Sequence, residues 1–145
     1  MLIGSFHHSL QEKGRLAIPA RFRESLGDNP ILTQGIETCL FLLPFNNWSS
    51  LIHDLGSNPL AGADSRNLRR LLAHQAVEVE FDAQGRIIIP RPLIDWADLK
   101  KKIVVAGSID WVEIWDIDQY QATVDSISAQ SQSIAQRITQ SKQNV

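Results

Sequence analysis

The chain has 145 residues, of which 43% are hydrophobic and 21% charged, and its formal net charge is −2. This length suits one domain or two very small ones with a real buried core. The near-neutral charge excludes a histone-like polycation while leaving room for a local cationic patch, and a lone cysteine excludes an intrachain disulfide.

The opening stretch, MLIGSFHHSLQEKGR, lacks the basic start and long apolar core of a signal peptide. No apolar run approaches the roughly 20 residues of a membrane helix, so a soluble cytosolic protein is expected. A short alternating strand leads here to a tight turn at Gly14. His7 and His8 are neighbours on that strand, point to opposite faces and cannot chelate one metal. In KGRLAIPARFR, residues 13–23, Leu16 and Ile18 share one strand face. Pro19 ends the strand and opens a short helix, PARFRESLG, stopped by Gly27. Two strands follow around Gly35, and Cys39 in TCLFLLP reads as a small buried hydrophobe rather than a reactive thiol.

PFNNWSSLIHDLGSN then reads as a helix, GSNPLAGADS as a loop, and SRNLRRLLAHQA as a second helix with Leu68, Leu71 and Leu72 at helical spacing. Asp64 or Ser65 is the expected cap of that helix. Its Arg66, Arg69 and Arg70 read as a solvated face.

QGRIIIPRPLI, residues 84–94, repeats the earlier motif. Gly14 matches Gly85, Arg15 matches Arg86 and Pro19 matches Pro90. Leu16, Ala17 and Ile18 match Ile87, Ile88 and Ile89. Farther on, residues 31–48 match 103–120, with Gly35 opposite Gly107 and Leu42 opposite Ile114. PRPLIDWADL is the counterpart helix, held to about a turn by Pro92. Lys100, Lys101 and Lys102 precede a strand and read as exposed or as guarding a strand edge. Trp48 and Trp96 are expected in the core, and Trp111 and Trp115 on one face of a strand. After Asp116 the chain is polar, with a thin stripe of Val124, Ile127, Ile134 and Ile138, and the expectation is a weak helix fraying into a disordered tail.

The repeat divides the chain into a first copy at residues 1–50, a helical insert at 51–74, a second copy at 75–122, and a weak helix or disordered tail at 123–145. Alone, either copy is four short strands and a turn of helix, too little to bury its apolar faces, and its sheet edges stay open. Two copies can interleave and close each other's edges. Duplication also presents two equivalent loops on one side, which suits a repetitive target such as duplex DNA.

Charge gathers at these loops. Lys13, Arg15, Arg21 and Arg23 outnumber Glu12 and Glu24, leaving a net +2, whereas residues 109–145 carry a net −3. An arginine at a glycine turn can grip phosphate or a guanine edge bidentately, and glycine lets the backbone approach closely. Asp82 lies four residues before Arg86, so an ion pair that merely shapes the loop is the competing reading. The residues alone leave both open.

The repeated strand–Gly-Arg–strand–Pro unit resembles the swapped-hairpin DNA-binding domain of the SpoVT/AbrB superfamily. Two copies around a helical insert, with LRRLLAHQAVEVEFDAQGRIIIP in the second, resemble the MraZ family of bacterial regulators of the division and cell-wall gene cluster. The resemblance covers nearly the whole chain to about residue 125. It implies an α+β, β-rich fold: a double-split (swapped-hairpin) β-barrel formed by two pseudo-symmetric repeats, with two linker helices and a C-terminal helix or tail. It also implies ring-shaped homo-oligomers that bind tandem repeats in promoter DNA, usually to repress, at the nucleoid. The family's turn motif places an aspartate three residues before the glycine and four before the arginine. The second copy keeps it as Asp82 and Arg86, while the first has Gln11 in place of the aspartate and retains Arg15. Either Glu12 substitutes as the acidic partner of Arg15, or Arg15 is freer to meet phosphate. The DNA-binding candidates are Arg15, Arg21 and Arg23, then Lys13, then Arg86 and Arg91, whose loop could instead serve subunit contacts. Gly14, Gly85 and Asp82 are loop-shaping candidates.

An antitoxin-like protein-interaction module on the same barrel is the alternative, with the tail as the partner-binding segment. No Cys-x-x-Cys or His-Glu-x-x-His spacing, nucleophile–base pair, carboxylate dyad or phosphate-binding glycine loop occurs. No enzyme activity, metal, cofactor or small-molecule substrate is therefore expected.

Overall fold

Alternating apolar residues close into two antiparallel sheets. A computed structural model describes residues 1–57, 60 and 62–143. The first half gives β1 (Ser5–Ser9), β2 (Arg15–Ala17), α1 (Ala20–Leu26), β3 (Ile31–Gln34) and β4 (Leu40–Leu43). Two helices follow, α2 (Phe45–Gly56) and α3 (Ala63–His74). The second half gives β5 (Val77–Glu78), β6 (Arg86–Ile88), α4 (Arg91–Trp96), β7 (Lys102–Gly107) and β8 (Val112–Asp116). Helices α5 (Ile117–Ala129) and α6 (Ser131–Gln143) complete it.

The larger sheet has the order β1-β7-β8-β4-β3-β5, and the smaller is β2-β6. Exchanging each strand for its counterpart in the other half turns the larger order into its own reverse. The halves are thus interleaved about a pseudo-twofold axis. Hairpins β3-β4 and β7-β8 stay within a half, whereas β1 pairs with β7, β5 with β3, β4 with β8 and β2 with β6. The axis passes near two partner pairs, Leu16↔Ile87 and Phe41↔Glu113. Among the described residues no ladder joins the two sheets.

Both faces of the larger sheet are apolar. On one, Leu40, Leu42, Ile103, Val105, Val112 and Ile114 pack in one core with Leu16, Ile18, Ile87 and Ile89 and with Phe22 and Leu93 of α1 and α4. Phe6 meets Phe22 edge to face, with ring centroids 5.3 Å apart. Leu16 and Ile87 are both wholly buried, and burial of an aliphatic side chain of this size contributes about 1.5–3 kcal/mol. On the other face Cys39, Phe41, Leu43, Val104 and Trp115 gather against Trp48 and Leu51 of α2 and Ile117 and Tyr120 of α5. Burial pushes the Cys39 thiol well above the usual thiol range, with the Glu113 and Glu37 carboxylates adding to the effect, as its apolar setting predicted.

Several expectations change. Trp96 is exposed, because α4 turns it away from the core that takes Leu93 and Ala97. Helix α3 begins earlier than its signals suggested. Gly62 is its N-cap residue and no side chain caps it, so Asp64 and Ser65 lie inside the first turn, where Asp64 favours the helix dipole. Part of the expected loop, at 58, 59 and 61, lies outside the described residues, as do 144 and 145 of the tail. The remainder of the polar tail is helical to Gln143, in two pieces that break at Gln130. Buried Asp116 starts it, accepting the Asp118 N–H at 3.2 Å and the Lys100 N–H at 3.0 Å. Among the described residues no helix is long and apolar enough to cross a membrane.

The Gly14 turn is constrained twice, by its backbone conformation and by a close backbone neighbour. Its φ is +75°, its carbonyl accepts the Ile89 N–H at 2.8 Å, and a Cβ there would stand 2.5 Å from the Ile89 oxygen. Gly27 has a similar φ of +78° but open space around it. Gly14→Ala should lower stability by about 2–4 kcal/mol and Gly27→Ala by about 1–2 kcal/mol. Denaturant titration of the two variants checks the difference, which isolates the cross-half contact from backbone strain.

Candidate functional site

The β2-β6 ladder is built by alternation. Leu16 and Ile87 face the core, so Arg15, Ala17, Arg86 and Ile88, which pair as Arg15↔Ile88 and Ala17↔Arg86, share the outer face. Ile88 is 57% exposed there. Each end of the ladder is tied to the opposite turn: the Ile18 N–H donates to the Gly85 carbonyl at 3.0 Å, and the Ile89 N–H to the Gly14 carbonyl. The two Gly-Arg turns, far apart in the sequence, therefore flank one ladder.

The turns begin alike. The Gln11 N–H donates to the Arg15 carbonyl at 2.8 Å, and the Asp82 N–H to the Arg86 carbonyl at 2.9 Å. They then diverge. Asp82 Oδ1 accepts the backbone N–H groups of Gln84 and Arg86, both at 2.9 Å, while Oδ2 accepts Arg86 Nε–H at 2.8 Å. The Arg86 backbone N–H, then the Arg86 guanidinium and the Gln84 N–H, outweigh a desolvation penalty and hold the Asp82 carboxyl below its ordinary range. In the first turn Lys13 takes a left-handed φ of +63°, and the Arg15 N–H donates to the Glu12 carbonyl. Gln11 does not cap its own turn. Its Oε1 accepts Nη1–H of Arg86, across the ladder, at 2.8 Å.

The predicted cations separate accordingly. Arg86 is held by Asp82 and Gln11. Arg23, half-buried on α1, donates from Nη1 to the Ile18 carbonyl at 2.9 Å, and its guanidinium lies over Gly85, occupying the space a side chain would need. Arg91 pairs with Asp95 at 3.1 Å, both exposed. Among the described residues Lys13, Arg15 and Arg21 make no side-chain hydrogen bond or ion pair, and none joins Glu12 to Arg15. Beside the first turn a groove of about 600 Å³ is of mixed charge, with Lys13, Arg91, Lys100 and Lys101 alongside Glu12, Asp95 and Asp98.

Two interactions escaped the sequence reading. One is the reach of Gln11 to Arg86, whose only signal was a glutamine where the second copy has aspartate. The other is a carboxylate between indoles: Trp111 and Trp115 donate Nε1–H to Glu113 at 3.3 and 3.1 Å. The spacing of residues 111, 113 and 115 on one strand face signals that contact, and it occupies both tryptophans. In the arginine cluster of α3, Arg70 donates to Asn67 at 2.9 Å and Arg69 lies against Gly56. Among the described residues no three His, Cys, Asp or Glu side chains form a metal-sized group.

A family model described as "MraZ protein, putative antitoxin-like" matches the chain twice, over residues 1–71 and 72–142. Proteins named transcriptional regulator MraZ are similar along nearly the full chain. The one from Thermomicrobium roseum is 41% identical over 138 residues, 95% of this chain and 97% of the relative. Those from Moorella thermoacetica and Pelotomaculum thermopropionicum are 39% and 42% identical over 95% of this chain, covering 96% and 95% of the relatives. These names describe regulators, a non-enzymatic class.

The second turn has a defined pH response. Because the folded carboxyl of Asp82 sits below its unfolded value, the contribution of the turn is complete above the ordinary aspartate range near pH 3.9 and is lost as pH falls through the lower folded value. Carbon-detected NMR titration of Asp82 should therefore find a midpoint below the ordinary value, and Arg86→Ala should raise it.

Proposed function

This chain belongs to the MraZ family, and on that premise we propose that it is a sequence-specific DNA-binding transcriptional regulator. The observation that carries the reading is the convergence of two Gly-Arg turns on one ladder, with Lys13, Arg15 and Arg21 unpaired among the described residues. Arg15 and Arg21 make the primary phosphate or base contacts, with Lys13 beside them. Arg86 contributes from its held position, and Arg91 from an exposed pair that phosphate can displace. Arg23 buttresses the second turn through Gly85 and Ile18, with Gly14, Gly85 and Asp82 fixing loop shape.

The two sheets are proposed to act as one double-split barrel. In support, their facing residues share a single core and each half supplies strands to the other. Residues 1–50 and 75–122 are its two repeats, 51–74 the insert. By resemblance, the target is tandem repeats in the promoter of the division and cell-wall gene cluster. A ring-shaped homo-oligomer represses there, in the cytoplasm at the nucleoid. The basic cluster at residues 13–23 offers three cations without a side-chain partner among the described residues, so repeated subunits on repeated sites raise avidity without stronger single contacts.

Antitoxin-like partner binding is the second reading, favoured by the description of the family model and by α6, whose described residues are exposed apart from half-buried Ile134.

Mobility shifts on DNA from the region upstream of the gene test the first reading. Binding should weaken steeply with salt, and Arg15→Ala should lower affinity at least tenfold and reduce the salt slope by about 1. A chain ended at residue 130 should bind as the full chain does. Salt-independent binding, or an Arg15→Ala variant that binds normally, contradicts the phosphate mechanism. Capture of a protein partner in a pull-down that needs residues 120–145 favours the second reading.

A further inference from the structure

The two turns occupy equivalent places in the pseudo-symmetric fold and yet are built differently. Asp82 serves its own turn completely: two backbone N–H groups and Arg86 Nε–H converge on its carboxylate. Gln11 stands at the corresponding place, as its backbone bond to Arg15 shows, and its side chain leaves its own turn to hold the arginine of the other.

We propose that Gln11 is a positioning residue for nucleic-acid contact, clamping Arg86 from across the ladder so that the chain presents one locked turn and one open turn. The proposal rests on the DNA-binding reading above. Two N–H groups of the Arg86 guanidinium, Nε–H and one on Nη1, are held by separate elements at 2.8 Å each. With two anchors on different atoms the planar group cannot rotate about its long axis, and its remaining donors are held in a fixed orientation.

The clamp has two consequences. Ordering a long arginine on binding costs free energy, and Arg86 meets that cost during folding. Gln11 and Asp82 also belong to opposite halves, so the bridge fixes the separation of the turns before DNA arrives. Arg15, with no partner among the described residues, remains free to adapt. Locked and open turns suit a target whose successive contacts differ, such as a phosphate at one point and a base edge at the next.

The test uses the full-length chain, Gln11→Leu and Gln11→Glu, with Arg15→Ala for comparison. The first readout needs no DNA: exchange of the Arg86 Nη–H groups with solvent, one of which Gln11 accepts, followed by NMR. Gln11→Leu should speed that exchange severalfold with an unchanged Tm, and Gln11→Glu, which keeps the accepting oxygen, should restore slow exchange. The second is affinity for a labelled duplex of the upstream region, measured by anisotropy. Gln11→Leu should weaken it about fivefold, the cost of ordering one freed long side chain on binding, with Gln11→Glu recovering at least part of the loss at high salt. Equal Nη–H exchange in the wild type and Gln11→Leu overturns the clamp. Unchanged affinity in Gln11→Leu, while Arg15→Ala loses binding, overturns the positioning role alone. A wild-type chain that binds no duplex overturns the DNA reading and this proposal with it.

Discussion

The ladder between Arg15–Ala17 and Arg86–Ile88 is the contact on which the rest depends. It is three residue pairs long, too short to persist alone. It is held by what lies beneath it, where Leu16 and Ile87 sit wholly buried over the larger sheet, and by backbone bonds that carry each strand into the opposite turn. Because these groups come from different halves, neither half forms its turn independently. The arginines are placed by long-range packing, and the turns inherit the rigidity of the core.

This dependence explains the glycines. Gly14 is pressed against the Ile89 carbonyl, and Gly85 lies beneath the Arg23 guanidinium. Each sits where the other half crowds its turn, so a requirement that looks local is tertiary in origin. It explains Arg23 as well. A cation that in the sequence belongs to the basic cluster is half-buried and engaged with the Ile18 carbonyl, which leaves Lys13, Arg15 and Arg21 as the unpaired cations of that cluster among the described residues.

Much of this was legible in the sequence because duplication is a pattern any reader can align. Matching Gly14 with Gly85 and Leu42 with Ile114 gives four strands per half, and period-two alternation correctly puts Leu16, Ile18, Ile87 and Ile89 inside. The Asp82–Arg86 pair was one of two readings that its spacing left open, and the pair forms. What escaped depends on which element covers which. Trp96 is apolar and helical, but its exposure is set by the direction in which α4 docks. The cap of α3 was misplaced because Gly62 starts the helix without a side-chain bond. The tail carries only the thin stripe of Val124, Ile127, Ile134 and Ile138, enough to suggest a weak helix but not one that runs to Gln143 from a cap at Asp116. The Gln11–Arg86 contact spans 75 residues, and no local rule gives it. Its origin is the difference between copies, since an aspartate at position 11 could have capped its own turn as Asp82 does.

Amide hydrogen exchange at Ile18 and Ile89 tests the central claim most directly, because these two N–H groups cross from one half to the turn of the other. If the halves fold only as an interleaved pair, both amides exchange solely through global unfolding, with equal protection and the same response to denaturant. Rapid exchange at either one, or protection of one without the other, would show that a turn forms independently of the opposite half and would contradict the account.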